Sequence, residues 1–120
     1  MHIVLGIAGA DDSFLALEET VRRTATTGDA LTVAILDSLA EDPSGLERRI
    51  TETLAPHDIR ADIVHLDGDA GPALTELADS GGFDRVVLGG GRRSPMGKIA
   101  LGEVAEFVIL NADTSITLVR

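Results

Sequence analysis

Arg85-Val86-Val87-Leu88-Gly89-Gly90-Gly91-Arg92-Arg93 carries an apolar, β-branched stretch directly into three consecutive glycines and two arginines. A short apolar run with no polar residue alternating through it reads as a strand covered on both faces. Further on, Gly102-Glu103-Val104-Ala105-Glu106-Phe107-Val108 opens a helix, marked by Val104, Phe107 and Val108, with Asn111 as its stop. A glycine-rich turn between a strand and the N-terminus of a helix is a general anion cradle, because free N–H groups converge there.

The same alternation of strand and helix runs through the chain before it. Ile3 to Ala8 forms an apolar run ending at Gly9. Asp11, Asp12 and Ser13 then offer an N-cap, Phe14, Leu17, Val21 and Ala25 make a helical stripe, and Gly28 ends it. Leu31 to Leu36 reads as a second strand. Asp42-Pro43-Ser44-Gly45 reads as a turn, with Ser44 and Glu47 as a capping box ahead of Leu46, Ile50 and Leu54, and Pro56 closing the helix. Ala61 to Leu66 is a third strand. Pro72 suits the first turn of the helix that follows, which buries Leu74, Leu77 and Ala78 and ends at Gly81-Gly82. Ile116 to Val119 is a fifth strand. Five strands alternating with four helices predict one domain, residues 1–120, with a parallel, doubly wound α/β sheet and right-handed crossovers.

Composition bounds the function. Of 120 residues, 44% are hydrophobic but only 2% aromatic, so Val, Ile, Leu and Ala fill the core and no Trp or Tyr offers a stacking platform for bases. The formal net charge of −10 repels a phosphate backbone, which argues against nucleic acid as a partner. Lys98 is the single lysine, and such an acidic, lysine-poor surface is what a salt-rich, halophile-like cytoplasm favours. Without cysteine there is no disulfide or thiolate chemistry. Met1-His2-Ile3-Val4 lacks a basic leader, and no apolar run approaches the roughly 20 residues of a membrane span. The expectation is a soluble, cytoplasmic protein with no membrane partner.

Chemistry on such a sheet belongs at the carboxyl ends of its strands, near the topological switch point. Those ends are Ala8-Gly9-Ala10-Asp11, Leu36-Asp37-Ser38, Leu66-Asp67-Gly68 and Gly89-Gly90-Gly91-Arg92. Ser38, Ser44, Ser80, Ser94 and Ser115 lack a nucleophile-elbow setting, so no catalytic residue is assigned. His2, His57 and His65 are scattered without metal-ligand spacing, and Asp67 and Asp69 lack the order of a calcium loop, so no metal site is assigned. Asp11-Asp12 with Asp67 and Lys98 invites comparison with a phosphorylated receiver domain. Lys98 precedes the fourth helix instead of ending a fifth strand, which argues against that.

The opening Ile3-Val4-Leu5-Gly6-Ile7, the stretch Gly68 to Leu77, Val86-Val87-Leu88-Gly89 and Gly102 to Val108 together resemble the universal stress protein family over nearly the whole chain. The resemblance is to a short haloarchaeal-type member with a degenerate ATP-binding motif. It implies a Rossmann-like, adenine-nucleotide alpha-hydrolase-like sheet of strand order 3-2-1-4-5, and a homodimer joined along the fifth strand through Ile116, Leu118 and Val119. In the family's ATP-binding branch the fourth strand ends in Gly, two residues, Gly, nine residues, Gly, then Ser or Thr. Gly89 and Gly102 hold the outer glycine positions, Arg92 stands at the middle one and Glu103 at the hydroxyl. Ala8 stands where these members place an aspartate, and Ile35 at an apolar position that flanks adenine.

The resemblance thus makes Ala8, Gly9, Ile35, Gly89, Gly90, Gly91, Arg92, Arg93, Gly102 and Glu103 the candidate nucleotide residues. A carboxylate beside a phosphate at a protein surface costs about 4 kcal/mol at a few ångströms, close to a thousandfold in affinity. The expected function is a homodimeric regulatory or interaction module with no cofactor and an unnamed protein partner, not a strong ATP binder and not an enzyme. The alternative is an ATP/Mg switch using the Gly89–Gly102 loop, with slow hydrolysis. Arg92, Arg93 and Lys98 either hold a phosphate or pair with Glu103, Glu106 and nearby carboxylates.

Overall fold

The computed structural model of the chain describes residues 1–8, 11–90, 92–93, 99–100 and 102–119, with backbone alone for 11, 12, 92, 93, 99 and 100. The main strands are β1 (His2–Ile7), β2 (Ala30–Leu36), β3 (Ala61–Leu66), β4 (Arg85–Gly89) and β5 (Ser115–Val119). The helices between them are α1 (Asp11–Thr27), α2 (Pro43–Leu54), α3 (Ala70–Ser80) and α4 (Glu103–Asn111). All four pairings in the main sheet are parallel, in the order β3-β2-β1-β4-β5. This is the expected 3-2-1-4-5, with the switch point between β1 and β4. One addition breaks the β4–α4 connection: Arg92–Arg93 pairs antiparallel with Ile99–Ala100.

Period-two alternation along β1 feeds two apolar layers. Ile3, Leu5 and Ile7 pack with Phe14, Leu17 and Val21 of α1 and Leu46, Ile50 and Leu54 of α2. Val4, Val86 and Leu88 pack on the other face with Leu74 and Ala78 of α3 and Ala105 and Val108 of α4. Gly6 lets that second layer close, because a Cβ there would lie 2.7 Å from Leu74 Cδ2. Gly28, at φ +76°, ends α1 in the left-handed region and donates its N–H to Thr24 O at 2.8 Å.

Three local expectations change. The cap of α2 is Asp42, whose Oδ1 accepts from Gly45 N at 3.1 Å, and Pro43 begins the helix, so Ser44 lies inside the first turn and does not cap it. Helix α1 starts at Asp11 and already contains Ser13, which is buried with Ala16, Thr20 and Thr24, while Ala25 falls on the solvent side. In α4 the buried positions are Ala105 and Val108, and Phe107 is 37% exposed.

Candidate functional site

A cleft of about 770 Å³ opens at the carboxyl ends of β1, β2 and β4. Its floor is apolar and small: Gly6 and Ala8 from β1 and its end, Leu36 from β2, Leu88 and Gly89 from β4. One wall is the first turn of α3 with its cap, Asp69 to Pro72. The second is the first turn of α4, Gly102 to Ala105, backed by Phe107. The third is Ser38 and Leu39, in a short 3₁₀ turn (Asp37–Leu39) that leaves β2. Gly71 lets the two helical walls meet, since a Cβ there would stand 2.9 Å from both Cβ and Cγ of Phe107.

Both helices aim their N-termini at this space. Neither Asp69 nor Gly102, the residue ahead of each helix, makes a side-chain cap hydrogen bond. The first intrahelical donors are the N–H of Ala73 to Asp69 O and the N–H of Glu106 to Gly102 O, each at 3.0 Å. The N–H groups before them have no intrahelical acceptor, so the two helix dipoles present partial positive charge to the cleft. The side chains present the opposite sign. Glu103 and Asp69 are the charged residues among the described lining, and Ser13 and Ser38 are its hydroxyls. Gly102 itself sits at φ −68° with open space around a built Cβ, so none of the described residues requires glycine there.

A second recess of about 740 Å³ adjoins the first, sharing Ala8 and Leu39. It is bounded by Glu41, Asp42, Gly45, Leu46 and Arg49, and the Arg49 guanidinium lies 3.6 Å over the Phe14 ring. Among the described residues no group of three or more His, Asp or Glu is placed to hold a metal ion.

Of the residues singled out in the sequence, Ala8, Gly89, Gly102 and Glu103 line the cleft together. Ile35 does not. It is fully buried in the layer under α1 and α2, and its neighbour Leu36 faces the cleft. Gly90 is buried and its N–H is committed to Val119 O at 2.7 Å. Gly9, Gly91 and Lys98, and the side chains of Arg92 and Arg93, lie outside the described residues, and with them any pairing of those cations with Glu103. Sequence reasoning missed Ser13, Leu39, Asp69, Gly71 and Phe107, which reach the cleft from five different elements and connections. The strand-end rule did mark Ser38.

The model of the universal stress protein family matches residues 1–120. The chain belongs to the universal stress protein family. Solved universal stress proteins share its fold. One, in complex with cAMP, has 21% identity and a TM-score of 0.76, covering 100% of this chain and 96% of that one. Another, from Archaeoglobus fulgidus in complex with dAMP, has 15% identity and a TM-score of 0.67, covering 100% and 98%. A third, from Lactobacillus plantarum, has 17% identity and a TM-score of 0.68, covering 100% and 97%. No curated protein sequence matches the chain. No helix among the described residues is long and apolar enough to cross a membrane.

Proposed function

We propose that this universal stress protein is a homodimeric, non-catalytic regulatory module whose cleft accepts an adenine nucleoside or its monophosphate and disfavours ATP. The cleft volume falls within the roughly 300–1,000 Å³ of small-molecule sites, and its small apolar floor suits a flat base. Structural neighbours in complex with cAMP and dAMP support that class of occupant. Two uncapped helix N-termini favour an anion, whereas Glu103 and Asp69 oppose the accumulation of several negative charges.

The observation that carries the reading is Glu103, a carboxylate in the first turn of α4 and on the cleft wall. Calorimetric titration of the native protein with adenosine, AMP and ATP/Mg tests it. AMP binding more tightly than ATP is the expected result, and micromolar ATP affinity overturns it.

A second reading, an ATP/Mg switch with slow hydrolysis, draws support from Arg92 and Arg93, which stand in the hairpin between the two motif glycines. The dimer rests on β5. It lies at the sheet edge beside β4, and Ile116, Leu118 and Val119 are only partly buried there.

A further inference from the structure

Behind the 3₁₀ wall of the cleft, one histidine joins three elements. His65 lies on β3 in register with Ile35 of β2 and therefore on the sheet face that α2 covers. Its Nδ1 is 2.8 Å from Asp37 Oδ1, and its Nε2 is 3.7 Å from Glu47 Oε2 on α2. Asp37 is the first residue of the turn whose next two residues, Ser38 and Leu39, line the cleft. The charged groups facing His65 among the described residues are these two carboxylates, one from the turn and one from the helix.

The two contacts respond differently to a proton. A neutral imidazole carries one N–H. Given to Asp37 through Nδ1, it leaves a lone pair on Nε2 turned toward the Glu47 carboxylate, which repels it. The imidazolium carries both hydrogens and attracts both acids. Protonation therefore switches the α2 contact from repulsive to attractive while the turn contact persists.

The geometry points to a proton-operated latch: charged His65 clamps the β2–α2 connection between Asp37 and Glu47 and so firms the Ser38–Leu39 wall of the cleft, and neutral His65 releases α2 from it. The ring is poised for this. Its hydrogen bond to Asp37 raises it above the usual imidazole value of 6.5, partial burial works the other way, and the charges of Asp37 and Glu47 add to the rise. The sign follows: the clamp is fully present below the unfolded imidazole value and is lost as pH rises through the higher folded value.

Amide hydrogen exchange of the full chain, followed by NMR at Ser38 and Leu39 and corrected for the intrinsic pH dependence of exchange, reads the wall directly. Protection should be about two- to fivefold greater at about pH 5.5 than at about pH 8, the range of a partly exposed ion pair. His65→Gln keeps a donor for Asp37 and should remove the pH dependence. Glu47→Gln, a change at a half-exposed position that tests the same contact if the first variant folds poorly, should remove it too. Equal pH dependence in the native chain and in either folded variant overturns the latch. The readout contains no ligand, so a failure of adenosine or AMP to bind bears on the cleft reading alone.

Discussion

Glu103 stands where the dipole of α4 meets the cleft. Its carboxylate stabilises the first turn of α4 by about 0.3–1 kcal/mol and, under the proposed function, opposes a polyphosphate in the cleft it lines. Because the side chain is exposed, solvent screens the repulsion well below the unscreened surface value. Glu103→Ser should therefore tighten ATP/Mg by about tenfold and leave adenosine unchanged, both read by calorimetry. A gain for adenosine as well would show that the residue blocks the cleft by bulk, not charge. Glu103, Gly89 and Gly102 were legible because motif spacing along one connection places them. That Ile35 lies under α1 and α2 while Leu36 faces the cleft could not be read from the sequence, for a physical reason. With both sheet faces covered, β2 is apolar throughout, and nothing in Ala34-Ile35-Leu36 tells which residue points to the cleft. Leu39 and Phe107 were invisible as site residues, since exposed apolar side chains acquire a role only through what packs beside them.

Helices α3 and α4 share one apolar layer through Leu74, Ala78, Ala105 and Val108, and two further contacts fix how α3 sits, one against α4 and one against the turn before β5. Gly71→Ala places a methyl against Phe107 Cβ, which is not the free end of a flexible chain, and should cost about 1–3 kcal/mol in denaturant unfolding. No loss would mean that α4 shifts freely relative to α3. At the far end Asp79 of α3 accepts from Asp113 N and Thr114 N, each at 3.1 Å, and from Thr114 Oγ1 at 2.6 Å, tying α3 to the turn before β5. The hydrogen bond from Thr114 and the backbone N–H groups hold the Asp79 carboxyl below its usual 3.8. A depressed folded value means this stability is present above the unfolded value and lost as pH falls through the folded one. Asp79→Asn should accordingly lower Tm near neutrality and converge with the native chain in strong acid; parallel melting curves at every pH would refute the clamp. Element order and type were legible because apolar runs and helical stripes are set locally. Helix starts were less so. Asp42 and Ser44 are both good caps by residue type, and the arrangement of Pro43 as first helical residue decides for Asp42.

Over the whole molecule, 20 acidic residues against 10 basic ones leave repulsion that the fold must withstand. Screening within about 10 Å at 0.1 M salt should raise Tm steadily between dilute buffer and molar NaCl, and a flat profile would remove the halophile-like reading. Light scattering over a range of concentrations should give twice the 12.5 kDa chain mass, with a monomer at all concentrations counting against edge pairing through β5. The bond from Gly90 N–H to Val119 O links these scales. Gly89 touches the cleft, and the very next peptide group is anchored to the outermost strand. Whatever settles in the hollow therefore sits a single amide away from the rim where two copies are proposed to join, and the Gly90 proton resonance becomes a natural reporter of both events at once.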